Sequence, residues 1–338
     1  MFDDKLRKGA RQAVVNCMKI RPEDNVIIVG DSQSKMIMNA LADASLEITK
    51  NVKLFYLEDY GKRPLRQLPK EIADAAGWST ATFYTASSMP GEKVSLRKPI
   101  IKLATAKKGS RQAHMPDVNV KIMKTGMLSD YAVIQKLSRR LYNLAKNAKE
   151  IKVVTDAGTF IVAEFSSKIK WIISDGDITK RVMRWGNLPS GEVYTSPLNV
   201  NGVFVVDGVL GDWLGPKYGS MERQPLKLTI KNSRVVNAEC RNKKLLAEFN
   251  DYIRQDSNAN RIGEFAIGTN IGLKKLIGEM LQDEKFPGIH MAVGDSYPED
   301  TGSGWGSKAH CDAVISKATI VVDGKMIMKE GKFIYGVL

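Results

Sequence analysis

Residues Asn25–Asp59 read NVIIVGDSQSKMIMNALADASLEITKNVKLFYLED. NVIIVGD is a short apolar run closing on glycine, the texture of a buried strand. Gln33–Thr49 carries apolar residues at helical spacing, and VKLFYLED (Val52–Asp59) is strand-like again. Strand, helix and strand in so short a span make a βαβ unit, whose crossover sets two strands parallel. The same rhythm extends outward. Lys5–Ile20 has helical periodicity, Lys70–Gly77 reads as helix, and ATFYTA (Ala81–Ala86) reads as strand. The N-terminal part is therefore expected to be an α/β domain with an open, largely parallel sheet covered by helices. VGDSQSK has one glycine where a dinucleotide turn uses three, so no nucleotide site is expected there.

Leu128–Ala148 reads as a long helix and a bridge, after which the texture changes. IKVVTDAGTFIVAEF places two β-rich runs around Asp156-Ala157-Gly158, a hairpin signal. NGVFVVDGVLG, LKLTIKNSRVVNAEC and the terminal VVDGKMIMKEGKFI continue as strands and turns, with helices expected at Lys243–Arg254 and Gly272–Gln282. The expected division is residues 1–145 as the α/β domain and 146–338 as an α+β domain.

A length of 338 residues suits two domains, and 43% hydrophobic with 26% charged residues is the mix of a globular protein. No apolar run approaches the roughly 20 residues that span a bilayer. The start MFDDKLRKGARQ lacks the apolar block of a secretory signal, so a cytoplasmic protein without membrane partners is expected. Cys17, Cys240 and Cys311 have no metal-like spacing and read as reduced thiols. Of the net charge of +14, much lies in Lys93–Lys124, where nine Lys/Arg face one acid, Asp117. The stretch lacks interleaved aromatics, so a solvated basic loop region is expected, with polyanion binding as the alternative and nucleic acid not favoured.

The chain has three histidines, and two of them bracket GIHMAVGDSYPEDTGSGWGSKAHCD (Gly288–Asp312), which is rich in acids and glycine. In HCD, His310 and Asp312 stand two apart, so on a strand both side chains share a face while Cys311 turns away. Imidazole with carboxylate suits Zn, Mn, Fe or Co. In GIHMAVGD, His290 shares its face with Ala292 and Gly294; in RIGEFAIGTN, Glu264 shares its face with Ala266 and Gly268. Each strand would bury one apolar face and set a polar group over a hollow on the other. In RWGNLPSGEVYTSP (Arg184–Pro197), Glu192 enters a strand just after a turn made by Asn187, Pro189, Ser190 and Gly191. Each residue alone also fits a plainer role, as a core histidine or an ion-paired acid.

NLPSGEVYTSP, IGEFAIGTN, GIHMAVGDSYP and HCD together resemble, in order, the motifs of the M29 metalloaminopeptidases, the aminopeptidase T and aminopeptidase S family, over roughly residues 152–324. The resemblance implies an aminopeptidase T-like fold, a homodimer, and a dinuclear centre of Zn, Co or Mn that hydrolyses the N-terminal peptide bond of short peptides with a metal-bound hydroxide. Carried over by motif, Glu192, Glu264, His290, His310 and Asp312 would be ligands, and Tyr297, seven residues after His290, the family tyrosine. Glu284 in LQDEKFPGIH is the candidate for the family's glutamate before the first histidine, one residue further away than the family spacing. Tyr297 would stabilise an oxyanion and Glu284 would move a proton. Two alternatives follow. One is a ring-cleaving dioxygenase related to 2,5-dihydroxypyridine dioxygenase, nearer this chain's length, with a single Fe on His290, His310 and Asp312. The other is a non-catalytic polyanion-binding protein.

Overall fold

The computed structural model describes residues 3–179 and 184–336. The chain divides into two compact units, Met1–Ala132 with Gly176–Ser190, and Val133–Asp175 with Gly191–Leu338. The chain thus changes unit inside the expected bridging helix, which spans Tyr131–Ala145, and returns to the first unit for one further short passage.

In the first unit β1 (Val26–Gly30), β2 (Val52–Tyr56), β3 (Ala81–Tyr84), β4 (Arg111–His114) and β8 (Trp185–Asn187) form one sheet in the order β2-β1-β3-β4-β8. Every pairing in it is parallel. All five residues of β1 are buried, as a strand covered by helices on both faces requires. The connecting segments include helices Lys35–Leu46, Lys70–Trp78 and Lys98–Ala104. Helix Asp4–Arg11 opens with the Asp3 carboxylate accepting from the backbone N–H of Lys5 and Leu6, and its coil continues as a wider turn to Cys17.

The place beyond the carboxyl end of β1, where parallel sheets receive ligands, is filled by the protein itself. Buried Asp31 accepts from Arg63 Nη1 at 2.6 Å and from the hydroxyl and backbone N–H of Ser87, while Arg63 Nη2 reaches Glu92 at 2.5 Å. The basic stretch Lys93–Lys124 is not the loop region expected, although Lys93, Lys98, Lys102, Lys107, Lys108 and Lys121 are exposed to solvent. It contains helix Lys98–Ala104 and strand β4, and Arg111 is buried against Asp24 at 2.6 Å.

The second unit holds two antiparallel sheets. One contains β5 (Glu150–Val154), β6 (Phe160–Glu164), β10 (Asn199–Val206), β11 (Leu226–Lys231), β12 (Arg234–Glu239), β16 (Thr319–Val322), β17 (Lys325–Lys329) and β18 (Lys332–Phe333), in the order β12-β11-β10-β6-β5-β16-β17-β18. The other contains β7 (Ile172–Ser174), β9 (Glu192–Thr195), β13 (Ile262–Gly268), β14 (Gly288–Gly294) and β15 (His310–Ile315), in the order β15-β14-β13-β9-β7. One apolar core joins them, with Ile151, Val153, Phe204 and Leu228 from the first sheet and Val193, Phe265, Ile267, Ile289, Met291 and Cys311 from the second. The predicted hairpin is β5–β6, with Gly158 at φ +102° in its turn.

The helix expected over Gly272–Gln282 is largely absent: only Met280–Asp283 is helical. The Asp283 carboxylate instead accepts from the backbone N–H of Ile277 and Gly278, holding the preceding residues in a loop that turns at Gly278, φ +81°.

Candidate metal centre

The five-stranded sheet of the second unit has one face in the core and one that carries the chemistry. On β14 the core side is Ile289, Met291 and Val293; on β13 it is Phe265 and Ile267. Strand alternation turns His290 and Glu264 to the opposite face. The register then sets the plan. Glu192 lies opposite Gly268, and Tyr194 opposite Ala266, which is itself opposite His290. Glu264 lies opposite Ala292, which pairs with Asp312, and Gly294 pairs with His310. Glycine and alanine thus separate the functional residues across the strands, and the hollow anticipated over the small residues is where the long side chains meet.

The five expected ligands converge. His290 Nε2 lies 3.5 Å from Glu264 Oε1, 3.7 Å from Glu192 Oε2 and 4.0 Å from Asp312 Oδ1. His310 Nε2 lies 3.3 Å from Asp312 Oδ2 and 3.6 Å from Glu264 Oε2. Three overlapping triads have ligand atoms within 4.8 Å of one another: Glu192, Glu264 and His290; Glu264, His310 and Asp312; Glu284, His290 and Asp312. Glu284 is therefore part of the cluster despite its spacing in sequence. Tyr297 is too, with its hydroxyl 3.1 Å from His310 Nε2. Asp295, in the acidic stretch between the histidines, contributes its backbone: its carbonyl oxygen is 3.4 Å from His310 Nδ1, which leaves Nε2 turned to the cluster.

These residues suit a divalent cation. Two ligand atoms each about 2.1 Å from one ion lie roughly 3–3.5 Å apart, close to the spacings found here. The Glu192 Oε2 and His290 Nδ1 atoms are buried with no hydrogen-bond partner, and an unpaired buried carboxylate oxygen beside an imidazole is costly without a cation. Side-chain exposures of 14% for His310 and 10% for Asp312, against 2% for His290, put the open side of the cluster at β15.

The electrostatics record the crowding of carboxylates. Burial pushes Glu264 up, opposed by its hydrogen bond from His290. Burial likewise pushes Glu284 up to about 8, against the pull of Lys285. For His290 burial acts downward, but the hydrogen bond and charge of Glu264, with Glu192 and Asp312, outweigh it and bring the imidazole to about 9. Asp312 is raised by burial and lowered further by His310, His290 and Lys285, so it stays ionised. Burial holds the Tyr297 phenol well above its ordinary value, so it remains a donor at neutral pH.

Two residues were missed in the sequence. Tyr194 stands on the functional face of β9 two positions from Glu192, and its ring meets Tyr297 edge-on at 6.2 Å. Lys285 is fully enclosed, with Nζ 2.6 Å from Glu192 Oε1 and 2.7 Å from Glu284 Oε1. Burial lowers this ammonium and the two carboxylates raise it more, so it is held protonated. Glu284, although 2.7 Å from the ammonium, is pushed up by burial and so keeps a proton near neutrality in the metal-free protein. The signal for Tyr194 was the period of two; for Lys285 there was none, because a lysine beside two acids normally marks a surface.

A sequence profile of the family described as thermophilic metalloprotease (M29) matches residues 131–337, more than half of the chain and all of the motifs above. The chain belongs to the M29 metalloproteases. The M29 match makes it a metal-dependent hydrolase, in place of the non-catalytic alternative. No curated protein matches this M29 chain in sequence. Solved structures that share its fold include the following two. Wild-type AmpT from Thermus thermophilus is 17% identical with a TM-score of 0.72, covering 99% of this chain and 100% of that one. The 2,5-dihydroxypyridine dioxygenase from Pseudomonas putida KT2440 is 15% identical with a TM-score of 0.72, covering 99% of this chain and 98% of that one. The M29 chain thus has the expected aminopeptidase T-like fold, a parallel sheet with helices N-terminally and antiparallel sheets C-terminally. Among its described residues no helix is long and apolar enough to cross a membrane.

Proposed function

We propose that this M29 protein is an aminopeptidase that hydrolyses the N-terminal peptide bond of short peptides at the cluster on β9, β13, β14 and β15. The observation that carries the reading is the meeting of Glu192, Glu264, Glu284, His290, His310 and Asp312 within overlapping metal-sized triads. A divalent ion held there would polarise the scissile carbonyl and make a water nucleophilic at neutral pH. Zn, Co and Mn all suit this mixed nitrogen and oxygen donor set.

The remaining work falls to the protein. His310 and Asp312, at the more exposed side, face the incoming peptide. Tyr297, a donor held against His310, can turn its hydroxyl to the carbonyl oxygen as negative charge develops there. Glu284, at about 8, holds a proton near neutral pH and can pass it to the departing amine. The donors are numerous enough for the two ions expected from the motifs only if the Lys285 ammonium, which holds Glu192 and Glu284, gives way. A homodimer goes with this reading and is tested by light scattering on the eluting protein.

The deciding experiment is release of amino acid from Leu- or Ala-anilides by protein stripped and reloaded with Zn, Co or Mn. Activity that returns with metal and is lost in Glu264→Gln supports the proposal; a reloaded protein no faster than the stripped one, or a Glu264→Gln variant as fast as wild type, would refute it. A second reading, a mononuclear iron ring-cleaving dioxygenase, draws on Lys285, which takes up Glu192 and Glu284 and leaves Glu264, His290, His310 and Asp312, within which His290, His310 and Asp312 make a two-histidine, one-carboxylate set. Oxygen uptake by the ferrous protein on addition of a dihydroxypyridine, without anilide hydrolysis, would favour it.

A further inference from the structure

The geometry points to Lys285 as a built-in counter-cation: its ammonium takes the Glu192–Glu284 side of the centre, so this chain holds one divalent ion, on Glu264, His290, His310 and Asp312. The inference deepens the metallopeptidase reading and depends on it only in requiring that a metal binds at the cluster.

Three observations carry it. First, Lys285 is 1% exposed and its Nζ contacts one oxygen of each of two carboxylates, Glu192 Oε1 and Glu284 Oε1. That leaves Glu192 Oε2 as the oxygen turned toward His290, at 3.7 Å. Second, two of the three candidate triads contain a carboxylate bound by Lys285, whereas Glu264, His310 and Asp312 form a triad it does not touch. A second divalent ion on the Glu192–Glu284 side would have to displace the ammonium or share its carboxylates with it, and like charges bridged so closely in a buried site repel strongly. Third, the lysine is enclosed and its main chain is anchored. Its backbone N–H donates to Gln282 O at 3.0 Å and its carbonyl accepts from Asn270 N at 3.0 Å. The adjoining Phe286 carbonyl lies so near Gly268 that a Cβ there would come within 1.9 Å of it.

Lys285 is thus a positioning residue that orients Glu192 and limits the number of ions.

The test counts metal on the full-length protein, loaded with Zn²⁺ or Mn²⁺, freed of excess ion, and measured by elemental analysis with anomalous scattering from crystals. Wild type is expected to hold one ion per chain, placed among Glu264, His290, His310 and Asp312. Lys285→Met, which keeps the apolar stem and removes the charge, is expected to rise to two, while Lys285→Arg stays at one. Two ions in wild type, or one ion in a folded Lys285→Met protein, would overturn the inference and leave the metallopeptidase reading standing; no ion in wild type would remove both. Should Lys285→Met fail to fold, the wild-type anomalous map decides by itself: one peak with Lys285 Nζ still between Glu192 and Glu284 supports the inference, and two peaks refute it.

Discussion

Tyr297 combines two unusual features in one residue: a backbone at φ +48°, in the left-handed region, and a hydroxyl 3.1 Å from a histidine nitrogen of the metal cluster. A bulky side chain rarely adopts that backbone without support. The support here is Thr301, whose hydroxyl donates to the carbonyls of Ser296 at 2.8 Å and Tyr297 at 2.9 Å. Because the ring is placed by its backbone rather than by its hydroxyl, Tyr297→Phe should leave the site's shape and metal content unchanged. Turnover of a Leu-anilide should fall by about 10²-fold, the usual cost of losing one donor to a developing oxyanion. Steady-state kinetics beside a metal assay checks this, and unchanged turnover would remove Tyr297 from the reaction. Glu192, Glu264, His290, His310 and Asp312 were legible because each sits on a strand, where the period of two dictates direction, whereas Glu284 and Tyr297 came only from the likeness of the motifs. Lys285 was not legible, since its placement depends on a loop that no local pattern specifies.

Two close contacts show how the elements hold the site and the sheet that accompanies it in the chain. Gly268 ends β13 opposite both Glu192 and Gly288, with no room for a Cβ against the Phe286 carbonyl. Gly268→Ala should therefore force β13 away from the Lys285–Phe286 backbone, costing about 3 kcal/mol and lowering the melting temperature measured by circular dichroism. In the first unit Arg63 is the shared partner of buried Asp31 and Glu92. Arg63→Ala would strand two carboxylates away from water and should destabilise that unit by roughly 3–5 kcal/mol, read from urea unfolding. The parallel sheet was legible where an apolar strand, a helix and another strand follow in sequence, as in β1 and β2. Its fifth strand, β8, has only the three residues Trp185–Asn187 and is reached after the chain has left the unit, so periodicity had nothing to show. The false helix at Gly272–Gln282 has the same origin: apolar spacing suggested a helix, and the Asp283 carboxylate holding two backbone N–H groups decided for a loop.

For the whole molecule the centre acts as a pH-dependent load on stability. In the metal-free protein His290 binds its proton more tightly folded, at about 9, than at its ordinary 6.5. Glu284 does the same, at about 8 against an ordinary 4.5. Both stabilising contributions are fully present below the lower value and are lost as pH climbs through the upper one. The stripped protein should therefore lose thermal stability between pH 6.5 and 9, and added divalent ion should reverse the loss, since metal replaces the proton at His290. Melting curves with and without Zn²⁺ at both ends of that range test it; a stripped protein that gains stability toward pH 9 would contradict the assignment. The alternation of β13, β14 and β15 has one more result. A one-residue slip in any of these pairings would drive acids and imidazoles into the apolar interior and expose isoleucine and phenylalanine to water. Errors of assembly that spoil catalysis are thereby also errors of solubility, and the cell's quality control can remove defective copies without ever sensing their activity.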